Sequence, residues 1–126
     1  MSTEFPADPG VPAAEQQRLD RIYEAFNARD IETVLGALAP DVLWPNGWEG
    51  GVVEGHEAVR EYWTRQWSQI DPTVTPTAYA QEEDGRVAVT VAQTVRDRDG
   101  TLLGEGVVTH TYRFRDGLIT DMEIRA

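Results

Sequence analysis

The apolar positions change their period once along the chain. Leu19, Ile22, Tyr23 and Phe26 recur at i, i+3, i+4 and i+7 with charged residues opposite, the spacing that turns one face of an α-helix toward a core. A shorter stripe of Val34, Leu35 and Leu38 follows Asp30 and ends at Pro40. The aspartate is placed to accept from the free N–H groups of the next turn, so it predicts the cap of a short second helix. Val59, Tyr62, Trp63, Trp67 and Ile70 then mark a third helix that starts near His56 and is closed by Pro72. Between the second and third helices, residues 41–45 predict a short strand, and residues 46–55, with four glycines, predict a loop.

After Thr73 the period becomes two. Residues 73–83, 86–96, 101–115 and 118–125 predict four antiparallel strands, separated by Asp84-Gly85, by residues 97–100 and by Asp116-Gly117. In the second of these, Val87, Val89, Val91, Gln93 and Val95 share one side, opposite Ala88, Thr90, Ala92 and Thr94. In the third, Val108, His110, Tyr112 and Phe114 face away from Val107, Thr109, Thr111 and Arg113. Gln93 and His110 therefore interrupt otherwise apolar rows. Helices followed by an antiparallel sheet make an α+β domain whose helices cover one sheet face.

Length and charge narrow this picture. The 126 residues suffice for one domain. Residues 1–12, with Pro6, Pro9, Gly10 and Pro12 among small and acidic side chains, are expected to form a loose tail before a single domain over 13–126. Eleven Lys+Arg against 22 Asp+Glu give a formal charge of -11, which disfavours nucleic acid and anionic membranes as partners. Neither a long apolar run nor a signal peptide is legible, so a cytoplasmic location is expected. The absence of cysteine removes disulfides and thiolate chemistry. His56 and His110 lie on separate elements with no ligand spacing around them, and neither a phosphate-binding glycine motif nor a nucleophile elbow occurs. No metal and no cofactor are expected.

The order of a helix, "AFNARDIETVLGALAPDVLW", a Gly-rich loop, "GHEAVREYW" and the hairpin "THTYRFRDGLITDMEI" resembles the nuclear transport factor two superfamily, in particular its SnoaL-like polyketide cyclase and ketosteroid isomerase branch, over about residues 14–125. The resemblance implies a cone in which a strongly bent, mainly antiparallel sheet wraps its concave face around the helices, leaves a pocket at one end and pairs into dimers. It also implies where an isomerase site would lie. The isomerase's carboxylate base is matched by Asn46, its protonated aspartate by His110, and its helix-one tyrosine by Ile22, with Tyr23 one residue away. Two carboxylates of that chemistry are thus replaced.

His110 is the leading catalytic candidate, because an imidazole among apolar side chains can donate, accept or transfer a proton. Asn46 offers an amide to a substrate carbonyl, or else serves the Pro45-Asn46-Gly47 turn. Tyr23, Trp44, Trp48, Trp63, Gln93 and Tyr112 are candidates to contact a small apolar or aromatic ligand, although Trp63 at helical spacing from Trp67 also suits a core. Three readings follow: an isomerase-, cyclase- or lyase-type enzyme without metal, a non-catalytic binding module, and an interaction protein using the outer sheet face, which in the family implied is a homodimer interface.

Overall fold

The computed structural model describes residues 11–46 and 50–125. In chain order the elements are α1 (Ala13–Asn27), α2 (Ile31–Leu35), β1 (Leu38–Pro45), β2 (Val52–Glu54), α3 (Gly55–Gln69), β3 (Ile70–Gln81), β4 (Val87–Asp97), β5 (Leu102–Arg115) and β6 (Leu118–Arg125). The six strands form one sheet in the order β2-β1-β6-β5-β4-β3. β1 runs parallel to β6 and the other neighbours are antiparallel. The sheet is curled but open, with the three helices packed against it, and the expected α+β architecture is therefore present.

The amphipathic stripe of α1 buries Leu19, Ile22 and Tyr23 against a core that includes Val34, Val42, Val59, Trp63, Val87, Val89, Val91 and Ile119. The last turn of α1 is bound to the first half of β3 by side chains. Asn27 donates from Nδ2 to the Val74 carbonyl at 2.7 Å and accepts from the Val74 N–H at 3.0 Å, so it satisfies both backbone groups as a neighbouring strand would. Arg29, in the left-handed region at φ 62, donates to the Pro72 carbonyl at 2.7 Å, pairs with the Asp71 carboxylate and places its guanidinium 5.0 Å from the Trp67 ring centroid. These contacts fix the rotation of α1 over the sheet.

Several boundaries differ from expectation. Leu38 does not continue the second helix. α2 ends at Leu35, with Asp30 capping it through Thr33 as expected, and Leu38 opens β1, where it pairs with Ile119 of the distant β6. The 46–55 segment is not all loop, because Val52–Glu54 forms β2 against β1. Ile70 and Pro72 do not close α3 but begin β3, an edge strand on which Pro72 and Pro76 sacrifice no interior ladder bond. Val11, assigned to the loose tail, is buried in the core, and the rest of that tail lies outside the described residues. His56 was expected to open the third helix. It lies one residue inside α3 and donates from Nε2 to the Leu38 carbonyl at 3.0 Å, joining that helix to β1.

The β4 alternation holds. The register with β5 runs unbroken from Val87 to Val95 and shifts only beyond it, so Gln93 stays on the inward row. Leu19 is fully buried, and truncation there should leave a cavity. Leu19→Ala is expected to lower the free energy of unfolding by about 2–5 kcal/mol in urea titration, while Gln17→Ala on the exposed face of the same helix changes it by less than about 0.5 kcal/mol.

Candidate functional site

Because strand side chains alternate, His110 and Tyr112 point to the same side of β5, and the inward face of α1 brings Tyr23 down onto them. The Tyr23 hydroxyl lies 2.9 Å from His110 Nδ1 and 2.8 Å from the Tyr112 hydroxyl. All three side chains are buried. The Tyr23 ring stacks nearly parallel to the imidazole, with centroids 6.0 Å apart, and meets Tyr112 edge-on at 6.4 Å.

Burial sets the electrostatics of this cluster. It depresses the His110 pKa from 6.5 to about 4, because an imidazolium there would lose its hydration without a carboxylate to replace it. Tyr23 is raised well above 10, first by burial and then by the neighbouring Tyr112. Tyr112 is also raised by burial. At neutral pH the cluster is a chain of uncharged groups.

The cluster borders a cavity of about 500 Å³, well within the range of small-molecule sites. Trp44, Trp63, Phe26, Val74, Val108 and Met122 supply much of its apolar surface. Trp44 meets Trp63 edge-on at 5.4 Å, and Phe26 meets Trp63 edge-on at 5.8 Å, so the aromatic side is braced ring against ring. Leu103 and Ile124 line the cavity yet are exposed, and Ile124 is the cross-strand partner of His110, so the apolar surface reaches solvent near the cluster. Among the described residues, none that lines the cavity carries a formal charge at neutral pH.

The structure brings six of the anticipated residues to this cavity: Tyr23, Trp44, Trp63, Gln93, His110 and Tyr112. Gln93 is on β4 opposite Gly106 of β5, four residues along from Val89, the partner of His110, and makes no hydrogen bond to the imidazole. Trp63 is 1% exposed in the core and also lines the cavity. Asn46 is buried beside the lining residue Pro45 but does not itself line the cavity. Its backbone closes the turn, its N–H donating to Gly51 at 2.9 Å and its carbonyl accepting from Gly50 at 2.8 Å. Trp48 lies outside the described residues. The resemblance set the isomerase tyrosine against Ile22, yet it is the Tyr23 hydroxyl that reaches His110.

Two polar residues were missed. Gln66 donates from Nε2 to the Tyr62 hydroxyl at 3.0 Å, and both line the cavity from α3. Gln66 is one turn on from Tyr62, and that i, i+4 relation was the available signal. Among the described residues, no three His, Asp or Glu side chains gather as a metal-holding group, and no helix is long and apolar enough to cross a membrane.

A curled sheet packed on three helices around a largely apolar cavity, with a Tyr–His–Tyr cluster where β5 meets α1, places the chain in the nuclear transport factor two-like class. Within that class the chain belongs to the SnoaL-like domain family, which matches residues 19–122. Among solved structures it is similar to an NTF2-like protein of unknown function from Burkholderia pseudomallei, with 26% identity and a TM-score of 0.79 over 90% of this chain and 91% of that one. It is also similar to TerC co-crystallised with polyporic acid, with 28% identity and a TM-score of 0.77 over 89% and 90%. Rv0760c from Mycobacterium tuberculosis in complex with estradiol-17β-hemisuccinate shares the fold at 22% identity and a TM-score of 0.76 over 90% and 93%. Comparison with the curated proteins found no match.

The depressed His110 pKa has a consequence for stability. The unfolded chain takes up a proton near pH 6.5 that the folded chain refuses until about pH 4. Stability from this group is therefore complete above pH ~6.5 and is lost as the pH falls through that window. Relative to His110→Gln, the wild type should lose up to about 3 kcal/mol of unfolding free energy between pH 7 and pH 4 in paired urea titrations. A constant difference between the two proteins across that range would contradict the assignment.

Proposed function

We propose that the cavity binds a small, uncharged, largely apolar or aromatic molecule and that His110 acts on it as acid and base in an isomerase- or cyclase-type reaction. The observation that carries this reading is a neutral imidazole, hydrogen-bonded through Nδ1 to Tyr23, bordering a cavity without charged lining. A charged ligand would lose its hydration there with no counter-ion. Trp44 and Trp63 suit a flat ring system, Gln93 and Tyr112 supply further polar contacts, and Asn46 acts indirectly by holding the turn next to Pro45. The ligands named with TerC and Rv0760c, polyporic acid and estradiol-17β-hemisuccinate, support the ring-bearing body of the molecule and not its lack of charge, since both carry acidic groups.

A second reading, a binding module without catalysis, draws on the absence of any carboxylate among the described lining residues. Recovery of bound ligand unchanged after long incubation would favour it. Estradiol and 1-phenylbutane-1,3-dione are suitable probes, read by quenching of tryptophan fluorescence in the full chain. At least one should bind with a Kd below about 100 μM, and Val108→Asp should weaken it at least tenfold by placing a charge in the cavity. Failure of both to bind, or binding indifferent to Val108→Asp, would remove the cavity reading.

We further propose that the chain pairs with a second copy through its outer sheet face, where Ala88, Thr90, Ala92 and Thr94 lie opposite the inward row and Val107 is 64% exposed. Sedimentation equilibrium should give twice the 14.1 kDa chain mass. Thr90→Arg with Ala92→Arg should return the monomer, whereas a monomeric wild type would refute the pairing.

A further inference from the structure

We propose that Tyr112, Tyr23 and His110 form a charge-neutral proton relay whose two ends, the Tyr112 hydroxyl and His110 Nε2, exchange protons with one bound substrate, an uncharged enolisable carbonyl compound such as a 1,3-diketone. The inference rests on reading the cavity as an acid–base site and adds the route of the proton and the substrate class.

The hydrogen-bond count forces the relay to have two states. The Tyr23 hydroxyl has one proton and two partners, His110 Nδ1 at 2.9 Å and the Tyr112 hydroxyl at 2.8 Å. If Tyr23 donates to Nδ1, then Tyr112 must donate to Tyr23, the remaining imidazole proton sits on Nε2, and the free ends are an Nε2–H donor and the Tyr112 lone pairs. If Tyr23 donates instead to Tyr112, then Nδ1 carries the proton and donates to Tyr23. In that second state Nε2 is a bare base and the Tyr112 proton is free to be given away. Both states keep both hydrogen bonds, and neither contains an ion. Both end residues line the cavity.

Enolisation then balances within the site. Starting from the second state, the substrate's α C–H bond breaks, its proton goes to Nε2, and its electron pair becomes the new C=C bond. The Nδ1 proton passes to the Tyr23 oxygen, and the former Tyr23 proton passes to the Tyr112 oxygen. The former Tyr112 proton goes to the substrate carbonyl oxygen, which takes the C=O π electrons as its O–H bond forms. The product is a neutral enol, and the protein is left in the first state. Running the relay backward with delivery from Nε2 to a different carbon shifts a double bond.

The environment favours this route over single-group catalysis. Burial that depresses His110 to about 4 makes an imidazolium intermediate unfavourable, and burial that raises Tyr112 and Tyr23 does the same for a tyrosinate. Moving the protons together avoids both ions. It also supplies a base where the described lining residues include no carboxylate.

The test uses the full chain and 1-phenylbutane-1,3-dione, whose approach to keto–enol equilibrium after dilution from an apolar solvent is followed by enol absorbance. The wild type should accelerate this approach, with a proton inventory in H2O/D2O mixtures that curves because several protons move together. Tyr23→Phe and Tyr112→Phe should each lower kcat at least 100-fold, with KM within about threefold, and should lose the curvature, a readout that a purely structural role would leave unmoved. Using both variants keeps the test valid should one fail to fold. Binding of the diketone without acceleration overturns the relay and leaves the cavity reading standing, as does acceleration that survives both substitutions or gives a linear inventory. Absence of diketone binding removes the relay's substrate class, and the cavity reading then stands or falls on estradiol.

Discussion

The Tyr23 hydroxyl is buried where it must find hydrogen-bond partners within the protein, and it finds them both on β5. A buried hydroxyl without partners costs about 1–3 kcal/mol, so α1 must lie at the rotation and height that bring Tyr23 over His110 and Tyr112. The clamp at the end of α1 holds that position from a distance. Asn27 takes the place of a strand against Val74, and Arg29 bonds to Pro72 and Asp71 while lying over Trp67. Since His110 and Tyr112 share the side of β5 that faces α1, the polar cluster and the apolar cavity are consequences of the same docking.

The chain separates charge from site. Every one of its eleven cations is an arginine, and those in ion pairs, such as Arg60 with Glu32 and Glu57 or Arg86 with Asp84 and Glu123, lie outside the cavity. Exposed pairs of this kind contribute little stability. Their effect is to leave a strongly acidic surface around a cavity whose lining, among the described residues, is uncharged. An anion would be repelled outside and unpaired inside such a cavity.

Much of this was legible in the sequence because it is written in local periods. The i, i+3, i+4 stripe gave α1 with Tyr23 on its buried face, and strict alternation put Gln93, His110 and Tyr112 inward before any partner strand was known. Asp116-Gly117, at φ 53 and 81, is the turn its dipeptide predicts. What escaped depends on pairing between distant segments. Leu38 fits a helical stripe equally well, and only its parallel partner Ile119 makes it a strand. Val52–Glu54 is too short to alternate visibly and is a strand because β1 lies beside it. Ile70 fits the α3 stripe, yet pairs with Asp97. The Tyr23–His110–Tyr112 cluster joins residues 87 and 89 positions apart, so periodicity could orient each side chain without revealing that they meet.

In the proposed reading the Tyr23–His110–Tyr112 cluster is where the protein meets its ligand. The most direct measurement is a crystal structure of the full chain grown with 1-phenylbutane-1,3-dione or estradiol. The expected result is a ligand oxygen within about 3.2 Å of His110 Nε2 or of the Tyr112 hydroxyl, with the apolar body against Phe26, Trp44 and Trp63. A ligand seated elsewhere with this cavity empty, or one in the cavity whose oxygens reach neither His110 Nε2 nor the Tyr112 hydroxyl, would contradict it.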